Sequence, residues 1–188
     1  MSDTRSEILA AARGILTEHS LADLTMRRLA TEVGVSPNAI YWHFADKQTM
    51  LAALADDLLT GVPVPDELPW DESLAMMARQ VRQVLLAVPD SAEVVSSAWA
   101  SGLARNDLAT RLAALAQAGG LEAAAAAGTA TALCQLIVGL TIEEQTRAQM
   151  ERLGVTGPSG RDYSGEFTAA LQVILAGARA IRSDPGGS

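Results

Sequence analysis

The register of Ala30, Gly34 and Ile40, four and then six positions apart, constrains this chain more than any other feature. Two short helices that cross closely need a small residue where the first meets the second. They also need a turn residue that tolerates positive φ, and an apolar residue to dock the second helix. Those residues stand here in that order. Ser36-Pro37 adds an N-cap and a first-turn proline at the point where the second helix must begin. Leu29, Val33 and Val35 supply the remaining inner contacts. The spacing predicts a helix-turn-helix from Thr25, which caps its first helix, to about His43.

The flanking sequence is also helical. Ala and Leu abound, while only three Trp, two Tyr and two Phe are present, a mix that favours helix over sheet. Thr4-x-x-Glu7 reads as a capping box for a first helix with Ile8, Leu9, Ala12, Ile15 and Leu16 on one face. Asp46 caps a helix carrying Met50, Leu51, Leu54, Leu58 and Leu59. Gly61 to Pro69 holds three prolines and must be a non-helical connector. It divides the chain into a domain over 1–60 and another over 61–188. The second domain reads as helices over about 71–88, 92–103, 106–118, 122–152 and 165–182, followed by a frayed tail over 184–188. The fold class is all-α, a three-helix N-terminal domain plus a C-terminal helical bundle.

Composition excludes several classes. A single cysteine, Cys134, permits no intrachain disulfide, and the start of the chain has no apolar signal region, so the reading is cytoplasmic. Residues 123–142 are free of charge and long enough to span a bilayer, but they are mostly Ala, Gly and Thr, which favour helix packing over insertion. No phosphate loop, nucleophile elbow or Cys–His pair appears. With only His19 and His43 as histidines, the chain reads as no enzyme and implies no metal and no cofactor. His19 reads as a helix-end residue. Glu143 and Glu144 are adjacent carboxylates without the partners a catalytic dyad needs.

The net charge of −8 opposes nonspecific attraction to phosphate. Residues 1–60 carry five basic and eight acidic side chains, and only within 24–47 does the balance reach +1. A nucleic-acid reading therefore rests on geometry. A recognition helix presents its N-terminal residues to base edges in the major groove. Asn38 suits adenine, and the Pro37 and Ala39 surfaces suit thymine methyls. Tyr41 and His43 suit phosphates. Trp42 stands on the same outward face as a candidate DNA contact and is expected partly to brace its helix against its own domain. Thr25 and Ser36 complete the capped ends. Lys47 can hold a phosphate beside the free N–H groups of the next helix, and Arg27 and Arg28 flank the same groove.

Leu24-Thr25-Met26-Arg27-Arg28-Leu29-Ala30, Val33-Gly34-Val35-Ser36, Ile40-Tyr41-Trp42-His43-Phe44 and Lys47 before Leu51 resemble the DNA-binding domain of the tetracycline-repressor (TetR) family. Gly139-Leu140-Thr141-Ile142-Glu143-Glu144-Gln145 resembles the regulatory domain of the tetracycline repressor subgroup. The resemblance implies a transcriptional regulator, most often a repressor, that binds double-stranded operator DNA as a homodimer. A small ligand re-spaces its recognition helices and releases the operator. Tetracycline repressors hold a magnesium-chelated drug with histidine help, and this chain has no histidine after residue 43. A mainly apolar effector is expected instead, with Met77, Val81, Trp99, Leu103 and Ile137 as candidate lining.

Dimerisation also follows from pattern. The helix over 122–152 and the stripe beginning at Phe167 are too apolar for an isolated surface. Pairing them with a copy makes a four-helix interface, with Leu133, Ile137, Leu140, Phe167, Leu171, Ile174 and Ala178 as the expected contacts. The rival reading is a helical ligand-binding or interaction protein with weakened DNA binding.

Overall fold

The computed structural model describes residues 4–65 and 67–183, and within them every regular element is a helix. The helices are α1 (Thr4–Glu18), α2 (Met26–Val33), α3 (Pro37–His43), α4 (Lys47–Leu59), α5 (Trp70–Leu86), α6 (Ser91–Ser101), α7 (Leu108–Ala118), α8 (Ala123–Arg152) and α9 (Tyr163–Ser183). Thr4 already lies inside α1, so it is not the cap that its spacing to Glu7 predicts. The expected frayed tail lies outside the described residues.

Its contacts group the chain into two compact units. One contains Met1–Thr60 together with Val84–Asn106, and the other Gly61–Gln83 together with Asp107–Ser188. The division falls inside α5, a continuous helix that no sequence signal interrupts. In the first unit α1 packs on α2 and α4, and α4 packs on α6. Leucines and isoleucines fill its centre: Ile8, Leu16, Leu24, Leu29, Ile40 and Leu54 are fully buried. Asp56 on α4 accepts the backbone N–H groups of Arg105 at 2.9 Å and Asn106 at 2.8 Å, which fastens the segment after α6.

In the second unit α7 packs on α8 and α8 on α9. Leu74, Met77, Ala78 and Val81 of α5 are fully buried. The carbonyl oxygen of Val62 in the proline-rich connector accepts Arg111 Nη2 at 2.5 Å. Arg82 is buried, paired with Glu144 at 2.5 Å and set over the Phe167 ring at 4.9 Å. Arg161 joins Glu143 of α8 to Glu166 of α9 at 2.7 Å each. Both carboxylates that the sequence places side by side are thus held by arginines.

Most of the residues expected at a dimer interface face inward. Leu133, Ile137, Phe167, Leu171 and Ala178 are buried within the chain itself, and Leu140 and Ile174 are half-buried. Apolar periodicity marked the face of each helix that α8 and α9 turn inward. Their outward faces carry Gly128, Thr131, Gln135 and Gly139 on α8, and Ala169, Val173, Ala176, Gly177 and Ala180 on α9, all exposed and uncharged. By length and hydropathy α8 matches a membrane span, yet 44% of the matching stretch is buried against this chain's own helices.

Candidate functional site

Three local caps shape the reading head. The Thr25 side chain accepts the N–H of Arg28 at 3.1 Å and opens α2. Gly34 closes α2 at φ 75°, in the left-handed region where a Cβ costs energy. Its N–H bonds back to Thr31 at 3.2 Å, while that of Val35 reaches Ala30 at 2.9 Å. Ser36 then accepts the N–H of Ala39 at 3.4 Å, and Pro37 occupies the first turn of α3. Asp46 opens α4 by accepting the N–H of Thr49 at 2.7 Å. That hydrogen bond is the main reason its carboxyl lies below the ordinary aspartate range, and the Thr49 hydroxyl adds to it.

The recognition helix α3 is pinned from beneath and open above. Ile40 is fully buried, and Ala30 leaves room for the crossing. Truncating Ile40 to Ala would cost about 2–5 kcal/mol at such a site. Phe44, next to the end of α3, is buried with the Arg5 guanidinium over its ring at 4.6 Å. Pro37, Asn38, Tyr41, Trp42 and His43 are all exposed, and Ala39 is half-buried. Trp42 is 88% exposed and Tyr41 50%. The expectation that Trp42 braces its own helix therefore fails, because its ring has almost no intrachain neighbours to brace against.

The basic residues divide. Arg27 is exposed and its side chain has no partner among the described residues. Arg28 is half-buried and lies 3.9 Å from Asp23. Lys47 sends its Nζ to the carbonyl oxygen of Leu21 at 3.5 Å, a role that the sequence did not indicate. The sequence also missed Asp90, whose carboxylate accepts the N–H of Leu21 at 2.7 Å. Neither partner sits in a recognisable motif, so only the fold reveals the link.

The candidate ligand-lining residues are divided between the two units. Met77, Val81 and Ile137 are fully buried in the second unit. Trp99 and Leu103 belong to the first unit, where Trp99 is half-buried and Leu103 exposed. No group of three or more His, Cys, Asp or Glu side chains suited to a metal ion occurs among the described residues. Burial pushes the Cys134 thiol up to about 12, which keeps it protonated and unreactive.

Residues 8–54 match the model of bacterial regulatory proteins of the tetR family, and residues 62–157 match the tetracyclin repressor-like C-terminal domain. A class C tetracycline repressor of Escherichia coli is 31% identical over 181 residues, covering 92% of this chain and 82% of that protein. The chain belongs to the tetR family of bacterial regulatory proteins. Another member, the Escherichia coli class A tetracycline repressor from transposon 1721, is 33% identical over 143 residues. That match spans 73% of this chain and 65% of the repressor's own length. Among solved structures, Mycobacterium smegmatis BioQ is 37% identical with a TM-score of 0.85, covering 96% of this chain and 99% of that one. BioQ with its double-stranded DNA operator is 35% identical with a TM-score of 0.80, over 95% and 99% of the two chains. A TetR variant of Acinetobacter baumannii in complex with minocycline is 26% identical with a TM-score of 0.80, over 98% and 97%. The exposed face of α3 therefore belongs to a helix-turn-helix of a DNA-binding transcriptional regulator.

Proposed function

We propose that this tetR-family regulator is a cytoplasmic repressor that binds a palindromic operator as a homodimer and is released by a small effector. One observation carries the reading. The face of α3 opposite Ile40 presents Pro37, Asn38, Tyr41, Trp42 and His43 to solvent, including a tryptophan that the fold itself does not use. An exposed tryptophan on a capped, docked helix makes sense as a contact surface.

In this reading Asn38 pairs with an adenine edge, while Pro37 and Ala39 meet thymine methyls. Tyr41, Trp42 and His43 take the sugar–phosphate backbone. Thr25, Arg27 and Arg28 at the start of α2, Ser36 at the turn, and Lys47 with the free N–H groups of α4 fix the register on phosphates. With a local charge of only +1 over 24–47, one head binds weakly and two linked heads bind tightly. The exposed Gly, Ala and Val residues of α8 and α9 supply the surface for that pairing, since small side chains permit close helix approach. The effector in this reading is mainly apolar, with Met77, Val81 and Ile137 of the second unit as candidate contacts.

A gel-shift titration with DNA from beside the gene for this chain, repeated over a salt series, tests the proposal. The expected result is a discrete complex whose affinity falls steeply with salt. Absence of a specific complex would leave the chain as a helical ligand-binding or interaction protein.

A further inference from the structure

Within the second unit, an open groove of about 430 Å³ runs between α5 and α9. Small-molecule sites span roughly 300–1,000 Å³, so the groove is large enough to hold one. Ala75 and Met76 of α5 and Leu175 of α9 give it an apolar lining. At one side Asp71 holds Arg179 at 2.6 Å. Two other polar groups along α5 are unspent. The Arg79 guanidinium lines the groove and has no ion pair or hydrogen bond among the described residues. The amide oxygen of Gln80, the next residue, is buried without a hydrogen-bond partner.

These groups specify an occupant. A buried carbonyl oxygen with no donor has forfeited the hydrogen bond that water gave it, so a ligand that donates one is favoured. Arg79 asks for a planar anion that matches its fork. Glu72 also lines the groove and stands seven residues before Arg79, about 10 Å along the helix axis. It repels an anion at its own end and so sets the direction in which a charged ligand lies. Met76, between them, is 38% exposed and offers a soft surface to hydrocarbon.

We propose that the groove binds an amphipathic carboxylic acid bearing a hydroxyl near its carboxyl end. The carboxylate sits on Arg79, the hydroxyl donates to Gln80 Oε1, and the hydrocarbon body lies over Ala75, Met76 and Leu175. The proposal goes beyond operator binding and stands independently of it.

Calorimetric titration of the full chain with β-hydroxydecanoate, decanoate and decanol tests it. The hydroxy acid is expected to bind tightest, with loss of the hydroxyl costing about fivefold and loss of the charge about tenfold. Gln80→Leu should erase the advantage of hydroxydecanoate over decanoate, and Arg79→Ala that of decanoate over decanol. Absence of saturable heat, or affinities that both variants leave unchanged, overturns the proposal. Gel shifts on the same preparations keep the two readings apart. Operator binding without acid binding overturns the groove alone, whereas acid binding without operator binding supports the groove and overturns the repressor.

Discussion

The carboxylate of Asp90 accepts the backbone N–H of Leu21 at 2.7 Å, joining the turn after α1 to the start of α6. Asp90 occupies the N-cap position of α6, yet its side chain makes no capping bond to that helix. Its φ is 59°, in the left-handed region, and it is the sole non-glycine residue found there among the described residues. Leu21 in turn lends its carbonyl oxygen to Lys47 at the start of α4. Three segments of the first unit thus meet at one backbone residue, and the diverted cap and left-handed backbone of Asp90 are what that junction requires.

Asp90→Ala should remove the acceptor and leave a side chain poorly suited to positive φ. The expected loss is about 1–3 kcal/mol. Asn tolerates the left-handed region and keeps a carbonyl acceptor, so Asp90→Asn should stay within about 1 kcal/mol of the parent. Urea denaturation of the two variants checks this. Equal stabilities would show that the bond to Leu21 contributes nothing.

Tyr41→Ala and Trp42→Ala separate binding from folding. Both side chains are exposed, so the thermal midpoint should move little, as expected of surface positions. Operator affinity should fall by about tenfold or more for each. A large drop in melting temperature for Tyr41→Ala would assign that ring to the core.

Two glycines are needed for different reasons, and alanine substitutions distinguish them. Gly34 has φ 75° but open space where a Cβ would sit. Gly34→Ala should cost about 1–2 kcal/mol, purely from backbone conformation. Gly119 has an ordinary helical φ of −75°, but a Cβ there would run into Cγ of Trp70. That ring also lies 5.4 Å from the Arg182 guanidinium. Gly119→Ala should cost about 1–3 kcal/mol through overpacking. Shortening Trp70 to Leu in the same chain should restore part of the loss for Gly119 and none for Gly34.

Acid should weaken two helix starts together. The Asp46 carboxyl is held below the ordinary range chiefly by the N–H of Thr49. The Asp107 carboxyl is lowered first by the Thr110 hydroxyl and then by the Thr110 N–H. A depressed folded value means that the stabilisation is present above the unfolded value, near about 4, and is lost as pH falls through the folded one. The thermal midpoint should therefore drop below about pH 4. The drop should be shallower in an Asp46→Asn, Asp107→Asn double variant, whose caps carry no titrating carboxyl. Identical acid limbs would contradict this.

Local chemistry was the legible part of this fold. Thr25, Ser36 and Asp46 each cap the helix that follows, because a cap is decided by residues three positions apart. Gly34 closes the turn for the same reason. What each apolar stripe packs against was not legible. Leu133, Ile137, Phe167 and Leu171 read as a surface for a second copy and lie buried within the chain itself. Periodicity tells which face of a helix is buried but not what buries it. The outer faces of α8 and α9, rich in Gly, Ala and Thr, carry too little hydropathy to stand out. Ties such as Asp90 to Leu21, 69 residues apart in sequence, leave no periodic trace.

The central claim is that α3 reads operator DNA, with two heads acting together. Fluorescence anisotropy with a labelled duplex from beside the gene for this chain tests it directly, at several salt concentrations and with a scrambled duplex of equal length as competitor. The account predicts two chains per duplex, discrimination against the scrambled competitor, and a logarithm of affinity that falls linearly with the logarithm of salt concentration. One chain per duplex, no discrimination, or a salt slope near zero would contradict it.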